Sequence, residues 1–332
     1  MADQNGPRGA GCMGVLAITF LLVVAMLGLA AYGYELQLEN FHDSEEETLS
    51  DEEIEAIKNS TDPSDAFLDP DLADQWGLEF AWDDLEPIEN EDHIINILLI
   101  GKDGGEGSRS DTMLLCTINT REKTLVMTSF LRDLYVEIPG WGGHNRLNAA
   151  FALNGAKLLN ETIRKNFGVQ VDHNIEVDFS GFQSVVAVFG GVRVDLTQKE
   201  AEHLGGGLVE GSNFLTPEQA LSYVRIRKLD SDFGRTDRQR KVMLSLMGAM
   251  KDLGYEQLVE LMDKVKPLVS TDMTKTDISV YMLEILPILD ELMVTTQHIP
   301  APGTYRNEVV DGKSVLVPDL AANIEILRDT LT

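Results

Sequence analysis

Cysteines and bases are scarce in this chain. Only Cys12 and Cys116 occur in 332 residues, and the first hundred positions hold just two bases, Arg8 and Lys58. Two cysteines so placed cannot form a disulfide framework. Cys116 lies in the apolar run 113–118, which is typical of a buried small hydrophobe and not of a nucleophile.

Basic residues are missing above all from residues 35–92, where 22 Asp or Glu stand against the single base Lys58. This segment carries most of the formal net charge of -28, so the remainder of the chain is only mildly acidic. A chain with this charge balance is not expected to bind nucleic acid. Dense like charge with few large apolar groups predicts an acidic extracytoplasmic stalk over residues 35–92.

Charged residues are absent from residues 12–34. At about 1.5 Å per residue in a helix, a segment of this length spans the ~30 Å hydrocarbon core, which predicts a single transmembrane helix. A cleaved signal peptide is the alternative, although the apolar run exceeds the usual signal core. Arg8 on one flank and unbroken acidity on the other place residues 1–11 in the cytoplasm and residues 35–332 outside the cell membrane.

From residue 93 onward, short apolar runs alternate with amphipathic stretches. The pattern indicates strands at 94–100, 112–118, 124–130, 174–179, 192–196 and 295–299, and helices at 148–166, 180–189, 217–226, 235–252 and 276–292. Ser180 with Gln183, and Thr216 with Pro217 and Gln219, are compatible with capping boxes at the starts of two of these helices. A hairpin is expected around the Asp-Gly turn at 311–312. Strands interleaved with helices predict one α/β domain over residues 93–332, with a sheet covered by helices on both faces.

A glycine-rich loop, residues 101–112, leaves one predicted strand and enters the next. Asp103 and Asp111 flank it and could share a hard cation such as Mg²⁺, which prefers oxygen ligands. The alternative is that both aspartates only form turns. The loop does not match a phosphate-binding Walker A motif, because no Gly-Lys-Ser/Thr follows at the required spacing.

Arginines form the second candidate group. Arg132 and Arg146 follow strand or turn segments, and residues 225–240 contain five further arginines and Lys228. Guanidinium groups bind phosphate oxygens through paired hydrogen bonds, so this concentration predicts a site for an anion such as pyrophosphate. Arg235, Arg238 and Gln239 lie three and four residues apart near a helix start, where the helix dipole favours anions. A surface helix carrying Asp–Arg pairs is the alternative.

Several of these segments occur together and in order in one known family. The chain from about residue 96 to 250 resembles the LytR-CpsA-Psr family of cell-wall glycopolymer transferases, through residues 96–103, 109–113, 131–133, 146–151, 177–182, 223–227 and 235–239. Leu131 replaces a proline common in the family, and Arg146 stands where many members have lysine, which keeps the charge but changes hydrogen-bond geometry. The acidic stalk is not part of the family pattern.

The resemblance implies a single domain with a central mixed sheet and a Mg²⁺-dependent enzyme. Such an enzyme moves a glycan phosphate, such as teichoic acid or capsular polysaccharide, from a polyprenyl pyrophosphate carrier to peptidoglycan, leaving a phosphodiester link. By position, the resemblance implies that Asp103 and Asp111 are the metal ligands. The pyrophosphate shell is expected to comprise Arg132, Arg225, Arg227, Arg235, Arg238 and Gln239.

The catalytic residues are expected among Arg132, Asp133, Arg146 and Asp232. Either aspartate could orient or deprotonate the acceptor hydroxyl, or could merely pair with arginines. Two alternatives remain. One is hydrolysis of the lipid carrier by the same metal and arginines with water as acceptor. The other is non-catalytic binding of lipid or wall polymer, which the presence of both aspartates together with the arginine set disfavours. Apolar residues on the predicted helices include Phe151, Leu153, Phe182, Val185, Val186 and Phe189. Most of them are expected to be ordinary core, and the resemblance implies that some line a lipid channel.

Overall fold

The fold was obtained as a computed structural model that describes residues 88, 91–102, 110–141, 143–226, 229, 232–251, 264, 266–310 and 312–331. Within these ranges, no helix is both long enough and apolar enough to cross a membrane. The predicted transmembrane segment 12–34 and all of the predicted stalk except Ile88, Glu91 and Asp92 lie outside them.

Twelve strands and seven helices are described. In chain order they are β1 (Ile94–Lys102), β2 (Ser110–Asn119), β3 (Thr124–Phe130), β4 (Tyr135–Ile138), β5 (Gly143–Arg146), α1 (Leu147–Phe167), β6 (His173–Asp178), α2 (Phe179–Val188), β7 (Val192–Leu196), α3 (Gln198–Leu204), β8 (Gly211–Leu215), α4 (Pro217–Val224), α5 (Asp232–Lys251), β9 (Ser270–Thr271), α6 (Lys275–Ile285), β10 (Met293–Ile299), β11 (Tyr305–Val310), β12 (Lys313–Pro318) and α7 (Leu320–Leu331). A short 3-10 helix, Leu286–Glu291, continues α6, where sequence predicted one helix to 292.

Six strands form the central sheet in the order β10-β3-β2-β1-β6-β9. β1 and β3 each pair antiparallel with β2, whereas β6 runs parallel to β1 and β10 runs parallel to β3. The predicted mixed sheet is therefore confirmed. Separate two-stranded sheets are made by β4 with β5, β7 with β8 and β11 with β12, the last being the predicted hairpin.

The two faces of the sheet bury different sets of side chains, because successive residues of a strand point to opposite faces. Leu98 and Ile100 of β1 pack in a core that includes residues of α1 and α7. Ile95 and Ile97 pack in a second core that includes Ile278 and Ile285 of α6. Helices thus cover the sheet on both faces, as sequence predicted.

A third core lies beside the carboxyl ends of β1 and β6. It joins α2, α3, α4 and α5 with β7 and β8, and its most buried side chains include Val186, Leu215, Tyr223 and Val242. At α4, the predicted capping box is present: the Thr216 hydroxyl accepts from the N–H of Gln219, and the Gln219 side chain accepts from the N–H of Thr216.

The cap of α2 differs from the sequence expectation, which assigned it to Ser180. Asp178 is the capping residue instead, and its carboxylate accepts from the N–H of Gly181 at 2.7 Å and from the Ser180 hydroxyl at 2.7 Å. These hydrogen bonds, with that of Gly181 the stronger cause, hold the pKa of Asp178 below its usual value. The cap fixes the end of β6 against the start of α2.

Ile88, a residue of the predicted stalk, belongs to the packed part of the chain. Ile88 is buried in the first core, and its N–H donates to the carbonyl of Gly168 at 3.1 Å. Ile88 also forms a parallel bridge with Val169. The segment before β1 is therefore tied to the carboxyl end of α1.

Candidate functional site

A pocket of about 190 Å³ opens at the carboxyl ends of β1 and β6, between the sheet and helices α2, α4 and α5. Leu99, Ile100 and Gly101 contribute from β1, and Val177 and Asp178 from β6. The carboxyl edge of a sheet is a common position for ligand sites, because loops and helix ends meet there.

One part of the pocket lining is apolar. It is formed by side chains of α2, α4 and α5, namely Phe179, Phe182, Val185, Phe189, Leu221, Val224, Met243 and Leu246. Three of the six apolar residues among which sequence expected both core and channel positions, Phe182, Val185 and Phe189, are in this lining. Phe151 and Leu153 are buried in the first core and Val186 in the third.

Helix α5 contributes four of the polar residues in the lining. Arg235 and Gln239, four residues apart, both line the pocket, as do Thr236 and Arg240 one position further along. Arg235 also donates to the backbone carbonyl of Asp111 at 3.3 Å, which ties the start of α5 to the start of β2. The structure therefore brings Asp111, Arg235 and Gln239 to one pocket.

Arg238 is placed differently from the sequence expectation of one shared cationic face. Its side chain is only 2% exposed and is not part of the pocket lining. The guanidinium lies 3.3 Å from Glu200 of α3 and donates to the carbonyl of Ile226 at 2.8 Å. Arg238 therefore contacts the third core, not the pocket.

A chain of alternating charges leads away from Asp111. Arg132 donates to Asp111 at 2.9 Å and lies 3.5 Å from Asp133, and Arg146 lies 3.4 Å from Asp133 on its other oxygen. All four side chains are largely buried, with exposed fractions of 17 to 21%. Asp133 thus pairs with two arginines, one of the two roles open to it from sequence.

Arg225 follows the last turn of α4 and lines the pocket. Its guanidinium carbon lies 4.5 Å from the centroid of the Phe179 ring, a cation–π contact that orients the charged group. Arg227 and Asp103 lie outside the described residues, and nothing is described of the Asp232 side chain beyond its place at the start of α5.

The sequence profile of the LytR_cpsA_psr family matches residues 48–330, most of the chain. The chain belongs to this family. The matched region begins inside the acidic segment 35–92 and ends in α7.

Members of the family with curated names include two similar relatives. "Regulatory protein MsrR" of Staphylococcus aureus is 36% identical over 180 residues, 53% of this chain and 54% of that protein. "Polyisoprenyl-teichoic acid–peptidoglycan teichoic acid transferase TagU" of Enterococcus faecalis is 32% identical over 203 residues, 59% of this chain and 67% of that protein. The alignment thus spans about half of the first relative and two thirds of the second.

Family members of known structure share the fold. The structure described as "TagT bound to LIIa-WTA" has a TM-score of 0.57 at 26% identity, covering 73% of this chain and 92% of that one. The Bacillus subtilis TagV crystal structure has a TM-score of 0.60 at 26% identity, covering 73% and 97%.

The family resemblance implies Mg²⁺, and Asp111 suits this cation. Asp111 lines the pocket, and a carboxylate is the hard oxygen ligand that Mg²⁺ prefers. In the part of the chain that the structure describes, no three His, Cys, Asp or Glu side chains gather as a metal site. Since Asp103 lies outside that part, the Asp103–Asp111 pair stays a prediction.

Family motifs did not point to His298, at the end of β10. Its Nε2 lies 2.9 Å from the hydroxyl of Thr236 and 3.4 Å from Asp237. Burial, reinforced by Arg240 and opposed by Asp237, lowers the pKa of His298 to about 4. His298 is therefore neutral at neutral pH and supports the helix turn that carries Thr236 and Arg240.

Acid should destabilise the fold in part through His298. Because its folded pKa of about 4 lies below the usual 6.5, the unfolded chain takes up a proton that the folded chain does not. The free energy of unfolding should therefore fall between about pH 6.5 and 4, and less steeply in His298→Gln. Urea unfolding across this range measures the slope, with the exposed His203→Gln as control. Equal slopes in all three proteins would contradict the prediction.

Proposed function

We propose that this chain is a phosphotransferase that moves a glycan phosphate from a polyprenyl pyrophosphate carrier to peptidoglycan. The observation that carries the proposal is one pocket lined by both a long apolar wall and the cations Arg225 and Arg235. A polyprenyl pyrophosphate has two parts that are complementary to this lining: an apolar chain, and a head that carries two or more negative charges. The wall would bury the chain, and the arginines would bind the head.

In this proposal the positive groups act on charge that develops during transfer. Arg225, Arg235 and Gln239 would hold pyrophosphate oxygens, and Arg227 and Arg132 would complete the shell. Preorganised donors in a site shielded from water stabilise a phosphoryl transition state strongly, because they need no reorganisation. Arg238 is left out of this shell, because its guanidinium is committed to Glu200 and Ile226.

Asp111 and Asp103 would hold Mg²⁺, which supplies neutralising charge to the pyrophosphate when bound. The acceptor hydroxyl of peptidoglycan would attack the glycan-linked phosphorus, and the bond to the departing polyprenyl phosphate would break. The hydroxyl proton must pass to a base. Asp133 pairs with two arginines at 3.5 and 3.4 Å, which favours a supporting role for it and for Arg146 and leaves Asp232 as our candidate base.

The names of the relatives support the same reaction class. TagU of Enterococcus faecalis is named as a teichoic acid transferase to peptidoglycan, and a TagT structure is described as bound to LIIa-WTA. A wall glycopolymer is therefore the donor class we propose for this chain. One relative is named "Regulatory protein MsrR", so the test must also be able to identify a non-catalytic, regulatory protein.

The direct test incubates the full chain in detergent with a polyprenyl pyrophosphate carrying a radiolabelled glycan, with Mg²⁺ and peptidoglycan fragments. Label should enter peptidoglycan, and chelation of the metal should prevent it. Release of labelled glycan phosphate without peptidoglycan labelling would instead identify a hydrolase. Tight binding of the lipid with neither product would identify a non-catalytic binding protein.

We also propose a cell-membrane location with the catalytic domain outside, based on Arg8 before the apolar segment 12–34 and acidic residues after it. Protease added to intact protoplasts should then digest the domain, while a cytoplasmic marker enzyme stays intact. Digestion of the domain only after the protoplasts are lysed would contradict this orientation.

A further inference from the structure

The backbone next to Arg225 is held in place by the buried guanidinium of Arg238. Ile226, the next residue, is only 2% exposed, and its carbonyl accepts from Arg238 of α5 at 2.8 Å. The N–H groups of Arg225 and Ile226 donate to the last turn of α4, at Ser222 and Tyr223. The carbonyl of Ile226 thus links the exit from α4 to α5.

Arg238 is in turn oriented by the carboxylate of Glu200, which also accepts hydrogen bonds from Thr197. Glu200 lies 3.3 Å from Arg238 through Oε1, and its Oε2 accepts from the N–H and the hydroxyl of Thr197 at 2.9 and 3.0 Å. This capping box begins α3. Because both charged side chains are at least 92% buried, removal of either one would leave the other as an uncompensated buried charge, which is strongly destabilising.

We propose that Arg238, oriented by Glu200, is a positioning residue for Arg225 in lipid pyrophosphate binding. The planar guanidinium reaches Glu200 and the Ile226 carbonyl in different directions, a geometry that an ammonium group cannot reproduce. It sets the backbone from which the Arg225 side chain reaches the Phe179 ring and the pocket. The inference rests on the proposed function, since it assumes that Arg225 binds the pyrophosphate.

A purely structural role for the buried pair makes a different prediction. If Arg238 and Glu200 served only stability, removing both charges together would restore most of the stability lost in either single variant, and binding would return with it. If they position Arg225, stability would return and binding would not. The two roles therefore separate in one double variant.

The variant for this test is Glu200→Gln combined with Arg238→Leu. Gln keeps an acceptor for the Thr197 N–H at the start of α3, and Leu fills part of the buried volume without a stranded charge. The matched control is Asn323→Ala. Asn323 is a buried residue of α7 that donates to the carbonyl of Thr304 and accepts from the N–H of Ala301. None of these three residues lines the pocket. Arg225→Ala and the triple variant complete the set.

Binding of geranylgeranyl pyrophosphate to each full-length variant in detergent is measured by titration calorimetry, and thermal unfolding is measured in parallel. We expect about tenfold weaker binding in the double variant, unchanged binding in Asn323→Ala, and a triple variant no weaker than Arg225→Ala alone. Wild-type affinity in the double variant, or a triple variant weakened by the product of the two effects, would overturn the positioning role. Unchanged binding in Arg225→Ala would instead remove Arg225 from the proposed lipid site.

Discussion

Asp111→Ala should abolish most Mg²⁺-dependent transfer, lowering the rate by at least a hundredfold. Asp111 lines the pocket and its carboxylate is the described half of the proposed metal pair. Losing such a group removes stabilisation of the developing phosphoryl charge, and a hundredfold change corresponds to about 2.7 kcal/mol. Initial rates over a range of Mg²⁺ concentrations measure the loss, with Asp103→Ala expected to behave alike.

The fold should survive this change, because Arg132 keeps Asp133 as a second acidic neighbour at 3.5 Å. Circular dichroism should therefore match that of the wild type. Glu291→Ala is the matched control, since it removes a carboxylate paired with Lys123 at 2.6 Å on the exposed surface. Wild-type activity and metal response in Asp111→Ala would exclude Asp111 as a metal ligand.

Arg225→Ala should weaken binding of a polyprenyl pyrophosphate by about ten- to a hundredfold. A hydrogen bond from a charged group to phosphate contributes roughly 1.5–3 kcal/mol, and the cation–π contact with Phe179 orders the guanidinium before the ligand arrives. Arg225→Lys should recover only part of the affinity, because the ammonium keeps the charge without the paired geometry. Calorimetric titration with geranylgeranyl pyrophosphate distinguishes the three affinities.

Arg193 offers a matched control for this experiment. Its guanidinium also lies over an aromatic ring, that of Phe214, at 5.9 Å, and neither residue lines the pocket. Arg193→Ala should leave the affinity unchanged. Equal losses in the two alanine variants would indicate a general effect of surface charge, and no loss in either would remove Arg225 from the site.

Much of the fold could be predicted because local patterns and packing agree. The apolar run of β1 is buried on both faces, and the Thr216-Pro217-Gln219 pattern begins α4 with the capping box that sequence indicates. The two-stranded sheets of β4 with β5 and β7 with β8 were not predicted. Of their four strands, only β7 was predicted, at 192–196. The strands β4, β5 and β8 are four or five residues long and show no clear alternation in sequence.

Sequence predicted some residues of the candidate site correctly and misplaced others, and α5 shows why. At 100° per residue, Arg238 lies 60° to one side of Arg235 and Gln239 lies 40° to the other. Spacing alone places all three on one broad face, but the boundary between pocket and core passes between Arg238 and Gln239. Where that boundary falls depends on Glu200 and Ile226, which approach from other elements.

His298 shows a second limit, because nothing in its local sequence indicates a contact with α5. It reaches Thr236, 62 positions earlier in the chain, only because β10 pairs parallel with β3 and ends beside that helix. Long-range strand pairing of this kind is determined by the whole sheet. A single sequence does not contain it in any local pattern.

The pairing of β10 with β3 also determines when the central sheet can finish folding during synthesis. Residues 124–130 must wait for residues 293–299, which are synthesised 169 positions later. Until then β3 presents a row of unpaired N–H and carbonyl groups on an apolar strand, the kind of edge that recruits other chains. A ribosome that stalls before Met293, or a frameshift there, should therefore yield a fragment that aggregates.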